Sequence, residues 1–257
     1  MKVTILGSGS STGVPAVGLG WGKCDSTEEK NRRTRSSILI ELKDLTLLVD
    51  TSPDLREQLL ASDICSLDAV LYTHAHADHL NGIDDLRGIN RAMNAPINIF
   101  AMPVTLKEIR KRFSYTLQPL QTPARGFSKP ALVPNEVIAG DILYINNVPV
   151  QTFEQDHGFS KTLGLRIQGF AYSTDVVNFS EENFEILRGI DTWVIGVFSN
   201  KEHPTHVHVK KALEWIDRVK PKRAFFTHLS SDLDFNELRK CLPLHVFPAF
   251  DGLQIDL

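Results

Sequence analysis

The segment Thr73-His74-Ala75-His76-Ala77-Asp78-His79-Leu80-Asn81-Gly82 limits this chain more than any other. Three histidines and one aspartate crowd into the stretch His74 to His79. The apolar run Ala69 to Tyr72 leads into it and predicts a buried strand. Alternate residues of an extended chain face one way, so His74 and His76 can share an ion. Asp78 and His79 fall where the chain turns toward a helix, and aim at a second position. Imidazole and carboxylate suit Zn²⁺ or Mn²⁺, and the absence of neighbouring thiolates argues against a structural zinc finger. A histidine-rich surface loop would not need four ligand-type residues at this spacing.

Two ions need further ligands, and three residues at predicted strand ends supply them. His157 follows the strand Val148–Phe153, Asp175 follows Gly169–Ser173, and His228 follows Arg223–Thr227. The expected arrangement places His74, His76 and His157 on one ion and Asp78, His79 and His228 on the other. Asp175 bridges them, with a hydroxide as second bridge. Two dications, two carboxylates and one hydroxide leave about one positive charge, which favours anionic substrates and transition states. Asp78 therefore counts as catalytic as well as a ligand. In His203-Pro204-Thr205-His206-Val207-His208 no carboxylate stands at ligand spacing. His206 is expected to be the general acid, with His203 as substitute. His208 is read as a structural or solvated residue inside a helix, and His245 as an ordinary apolar-region histidine.

The remaining pattern predicts strands at Lys2–Leu6, Ser37–Leu42, Thr46–Asp50, Ile97–Phe100, Ile142–Ile145, Thr162–Ile167 and Thr192–Val197. It predicts helices at Pro53–Leu60 with Ser52 as N-cap, Gly82–Met93, Val104–Phe113, Glu181–Leu187 and Val207–Val219. Tyr115 to Pro134 carries four prolines and reads as a loop or flap. The stretch Gly7 to Gly13 is not a P-loop, because no Gly-Lys-Ser/Thr follows, and is expected to be a tight turn beside the site. With 257 residues and no linker, a single domain over 1–257 is expected, a β-sandwich covered by helices.

Charge and cysteine usage narrow the partners. A net charge of −3 and no long basic arm argue against gripping a long nucleic acid. No apolar run reaches membrane-spanning length. Three cysteines without a CxxC pair suggest free thiols in a reducing cytoplasm. A homodimer stays open. The basic run Arg32, Arg33 and Arg35 reads either as solvated surface or as a strip holding a further phosphate. Arg35 and Arg87, with Ser36 beside them, are candidate substrate contacts; the alternative for the arginines is an internal ion pair with Asp84 or Asp85.

These residues resemble the metallo-β-lactamase fold superfamily, whose signature is HxHxDH with a later His, a bridging Asp and a final His. The likeness runs over essentially the whole chain, and the fold it implies is an αββα four-layer sandwich, of α/β class. Asn31 to Ser37, Asp50 to Asp54, Gly82 to Arg87, His203 to His206, Thr227 to Ser230 and Pro248 to Gly252 are similar to the PhnP-type branch. That branch implies a phosphodiesterase using two Zn²⁺ or Mn²⁺ ions, with His206 as acid, on a small cyclic or nucleotide-like phosphodiester. It is also similar to tRNase Z. An additional structural zinc of the branch needs a cysteine cluster and a His three residues past the final ligand. Here only Cys24 and Ser231 stand there, so no third zinc is expected and the substrate is free to differ. Three rival functions keep the fold. A thioester, lactone or β-lactam hydrolase fits the arginine strip and two-histidine loop less well. An RNA-processing nuclease conflicts with the net charge. A redox or metal-sensing protein with a diiron site would want more carboxylates.

Overall fold

The computed structural model describes residues 1–119 and 127–257. Two seven-stranded sheets face each other. The first has the order β14 (Gln254–Asp256), β1 (Lys2–Gly7), β2 (Ser37–Leu42), β3 (Leu45–Val49), β4 (Ala69–Leu71), β5 (Ile97–Ala101), β6 (Leu132–Glu136). The second has the order β13 (Val246–Pro248), β12 (Arg223–Thr227), β11 (Thr192–Gly196), β10 (Phe170–Ser173), β9 (Lys161–Ile167), β8 (Val148–Asp156), β7 (Ile142–Ile145). Each sheet is half antiparallel and half parallel, the change falling at β3 and at β10.

Period-two alternation builds the four layers. In β2 and β3, Ile38, Ile40, Leu47 and Val49 face the second sheet and meet Leu163, Leu165, Phe170, Tyr172 and Val194. Leu39 and Leu48 face outward onto α1 (Leu55–Ala61), α3 (Leu86–Met93) and α4 (Pro103–Arg112). On the far side Trp193, Ile195 and Phe226 pack on α5 (Glu181–Leu187), α6 (Val209–Val219) and α7 (Phe235–Cys241). Both faces of each sheet are thus buried, which explains near-continuous apolar strands such as Leu45–Val49. The result is the expected αββα sandwich. Among the described residues no helix is long and apolar enough to cross a membrane.

Several elements depart from the sequence reading. Ser52 is not a helix N-cap: its hydroxyl accepts from the Asp54 amide and donates to Gln58 Oε1, and α1 starts two residues later than expected, after Asp54. The expected helix from Gly82 breaks into a short 3-10 turn, Ile83–Asp85, and α3, which ends at Asn94 in left-handed backbone. His208 is not inside a helix; it stands at the N-cap position of α6, and its side chain makes no capping hydrogen bond. The expected flap from Tyr115 to Pro134 also changes. Ser114–Leu117 form a 3-10 turn, and Pro134 lies within β6, where an edge strand tolerates a missing N–H. The part of the flap at 120–126, with Pro123, lies outside the described residues.

Gly82 closes the metal-motif segment against the loop after β3. A Cβ there would fall 1.9 Å from the Ser52 carbonyl oxygen, a backbone atom that cannot swing aside. Gly82→Ala is expected to cost about 3 kcal/mol or more, at the upper end of overpacking effects. Urea denaturation measures it, and an unchanged midpoint would show that the loop yields freely.

Candidate metal centre

The site lies where the carboxyl ends of strands from both sheets meet, the usual location in open α/β sheets. β4 delivers His74 and His76, and the short helix α2 (Ala77–Leu80) presents Asp78 and His79. His157 follows β8, Asp175 follows β10, and His228 follows β12. His74, Asp78, His79, His157, Asp175 and His228 are buried, and His76 is exposed.

Side chains behind the cluster fix which ring nitrogens face it. Asp50 is fully buried; its Oδ2 accepts from His79 Nδ1 at 2.7 Å and from the Thr73 hydroxyl at 2.7 Å. The Thr73 amide donates to Asp50 Oδ1 at 2.7 Å. The Thr73 hydroxyl has spent its proton on Asp50, so it accepts from His74 Nδ1, 3.0 Å away. His157 Nδ1 donates to the Thr205 carbonyl at 2.7 Å. All three imidazoles therefore carry their proton on Nδ1 and turn a basic Nε2 inward, the second-shell logic of metal sites. Sequence reasoning did not find Asp50 or Thr73 as orienting groups. Beyond the place of Asp50 in a segment resembling the PhnP-type branch, the local signal was an acid closing an apolar strand.

The inward atoms fit a cation. His74 Nε2, His79 Nε2 and His228 Nε2 are buried without a hydrogen-bond partner among the described residues. Such orphaned groups are costly unless something binds them. Ligand atoms of His74, His76 and His157 lie within 4.8 Å of one another, as do those of Asp78, His79 and His228. Two ligands at zinc bond length on a tetrahedral ion are about 3.3 Å apart. Asp78 Oδ2 lies 3.2 Å from His79 Nε2 and 3.5 Å from His228 Nε2. Asp175 stands between the groups. Its Oδ2 is 2.9 Å from His79 Nε2 without hydrogen-bond alignment, and its Oδ1 is 3.4 Å from His228 Nε2 and 3.8 Å from His157 Nε2. Asp50, Asp175 and His228 all hold left-handed backbone, at φ of 65°, 49° and 56°. Such conformations are uncommon for residues other than glycine and gather at functional sites.

The buried acids and imidazoles of the cluster shift one another strongly. Burial raises Asp50. Burial raises Asp175 too, yet the His228 and His79 imidazoles outweigh it and hold the carboxyl well below the usual range. His79 shows the mirror effect: burial lowers it, but Asp175, Asp78 and Asp50 together lift it well above an ordinary imidazole. Burial and the His79 ring push His74 down.

His206 joins this cluster. Its Nδ1 is 3.3 Å from Asp175 Oδ1, and its ring lies between Phe198 and His228, with centroid distances of 5.1 and 4.9 Å. Burial pushes it down to about 3 despite Asp175. His203 sits one layer back: its Nδ1 accepts from the Thr205 amide at 3.3 Å, and its ring packs on Phe198.

The expected substrate contacts are placed differently. Arg35 pairs with Asp54, Nε to Oδ2 at 2.9 Å, rather than with Asp84 or Asp85. Arg87 is exposed and donates to the Ser128 carbonyl at 3.2 Å. Ser36 is buried, its hydroxyl donating to the Gly9 carbonyl at 2.9 Å, so it shapes the turn beside His228 rather than facing solvent. Arg33 is no solvated surface charge: it is 2% exposed and donates to Ser230 O and Asn31 Oδ1. Arg112 was missed; it donates to the carbonyl of Ala75, between His74 and His76.

Asp50→Asn is expected to weaken metal binding ~10–100-fold, the usual effect of removing an outer-shell partner. The amide would set a donor against the His79 Nδ1 proton. Competition with a chromogenic chelator reads the affinity, and an unaltered value would deny Asp50 its orienting role.

Residues 46–229 match the family model described as the Beta-lactamase superfamily domain. A curated octanoyltransferase of Porphyromonas gingivalis is 34% identical across 99% of this chain; the chain spans 51% of that relative's length. Among solved structures, a diphosphatase from the PhnP family superposes with a TM-score of 0.90 at 31% identity, covering 99% of this chain and 96% of that one. Zinc-bound PqqB from Methylobacterium extorquens gives 0.80 at 20% identity, with full coverage of both chains. Human tRNase Z, short form, gives 0.67 at 16% identity, covering 100% of this chain and 99% of that one. The last two likenesses speak for the fold alone.

Proposed function

This chain belongs to the metallo-β-lactamase superfamily, in its PhnP-type branch, and we propose that it is a metal-dependent hydrolase, a dinuclear phosphodiesterase for a small cyclic or nucleotide-like phosphodiester. The observation that carries this reading is Asp175, whose two oxygens reach toward both histidine groups at once. His74, His76 and His157 would hold one ion and Asp78, His79 and His228 the other, with Asp175 shared. Divalent ions, Zn²⁺ or Mn²⁺, would supply Lewis acidity and a water nucleophile ionised near neutral pH. Asp50 and Thr73 keep the imidazoles turned inward throughout. His206, against Asp175, delivers a proton to the leaving oxygen. Burial holds its ring neutral in the free protein, so to act as the acid it would first take a proton from solvent when the anionic substrate binds beside it and raises its basicity. The likeness to a PhnP-family diphosphatase supports phosphorus as the electrophile.

One observation favours a second reading. The octanoyltransferase relative handles an acyl group, which suits an acyl thioester hydrolase on the same centre. A hydrolysis panel on metal-loaded protein separates the two. It compares bis(p-nitrophenyl) phosphate, 2′,3′-cyclic nucleotides, phosphoribosyl cyclic phosphate, a nucleoside diphosphate sugar, precursor tRNA and acyl thioesters. Cleavage of the small diesters, with bound metal by elemental analysis, is the expected result. Thioesters cut and diesters untouched would overturn it. We place the enzyme in the cytoplasm, acting on small molecules, as a monomer or homodimer.

A further inference from the structure

Phe159 is 92% exposed, whereas Phe153, Phe170 and Phe226 are buried. It lies on the four-residue turn between β8 and β9, two residues past His157. That turn is fixed in place. The Asp156 carboxylate accepts from the Gly158 amide at 3.0 Å and from Asn178 Nδ2 at 3.1 Å, and the His157 amide donates to Ser160 O at 3.0 Å. Gly158, at φ 73°, lies so close to the loop bearing His206 that a Cβ would sit 2.7 Å from Pro204 O and 2.9 Å from Thr205 Cγ2. An aromatic face is thus held in water, on a rigid turn, at the rim of the metal centre. Exposure of a whole ring forfeits its burial energy. A preorganised ring stacks on a planar group without an ordering cost.

We infer that Phe159 is a stacking platform for a planar, base-like group of the substrate, which makes the preferred substrate a nucleotide rather than a bare sugar phosphate. This rests on the phosphodiesterase reading above. Calorimetric binding of adenosine 5′-monophosphate and ribose 5-phosphate to the metal-loaded protein tests it without turnover. The two ligands share the phosphate and differ in the base. The wild type is expected to bind the nucleotide roughly tenfold or more tightly than the sugar phosphate, the scale of one base–aromatic stack. Phe159→Ala should bring the two affinities to within about twofold by losing affinity for the nucleotide alone, and Phe159→Trp should keep the preference. Equal affinities in the wild type, or a preference that survives in Phe159→Ala, would overturn the inference. So would a loss in Phe159→Ala that tracks a change of oligomeric state. Failure of the phosphodiesterase reading would show separately, as diesters left intact in the hydrolysis panel, while this binding difference is still read.

Discussion

Asp175→Asn is expected to remove at least about 10³-fold of the hydrolytic rate and to lower bound metal in the same protein, since an outer-shell partner alone is worth ~10–100-fold in affinity or activity. The reason is its reach. One oxygen lies 2.9 Å from His79 Nε2 and the other 3.4 Å from His228 Nε2 and 3.8 Å from His157 Nε2. Among the described residues Asp175 groups with His74 and His79 and also with His157, whereas Asp78 groups with His79 and His228. Asparagine keeps the shape but offers one oxygen and no charge, so one group loses its acid while the buried imidazoles keep their mutual repulsion. The fold should survive, because the Thr174 hydroxyl can still donate to the amide oxygen and the left-handed backbone at 175 suits asparagine. Elemental analysis with steady-state rates checks it. A variant retaining two ions and near wild-type turnover would dismiss Asp175 as the shared ligand.

His206→Ala tests the acid and separates chemistry from metal binding. Loss of a positioned general acid costs ~10²–10⁴-fold when the leaving group is a poor one. A nitrophenolate leaves without help, so the loss on bis(p-nitrophenyl) phosphate should be small by comparison. Metal content should hold, since His74, His76 and His157 keep their mutual spacing without His206. Equal losses on activated and unactivated diesters would remove His206 from the acid role. Loss of metal would instead make it a ligand, a position its grouping with His157 and Asp175 also allows.

That these residues gather at one rim was largely readable from the sequence, for a local reason. His74 to His79 stand on one strand end and one helical turn, so spacing translates directly into direction. Asp175 and His228 end strands whose apolar runs are visible, as does His157, although β8 runs on to Asp156 before it. Asp50 was hidden because its partner His79 lies 29 positions on, and only the parallel pairing of β3 with β4 brings them together. Arg33 misled for the converse reason: within a basic run it looks solvated, yet the turn at Ser230 closes over it. β13 and β14 span three residues each, too short for alternation to register, and exist through pairing with β12 and β1. In α7 Leu238 is the one buried residue, so no apolar period marks the helix. Its cap, Asp234, is tied to Asn31 across the molecule.

The candidate ligands do not come from one sheet. His74, His76, Asp78 and His79 belong to the first, and His157, Asp175 and His228 to the second. A bound cation pair would therefore rivet the two leaves of the sandwich at one rim, in addition to the apolar seam between them. Ligand concentrations a hundredfold above the dissociation constant add about 2.7 kcal/mol to a folded state. Starving such a molecule of metal would cost durability and, on the proposed function, speed, so that cation supply would govern how long each copy lasts as well as how fast it works.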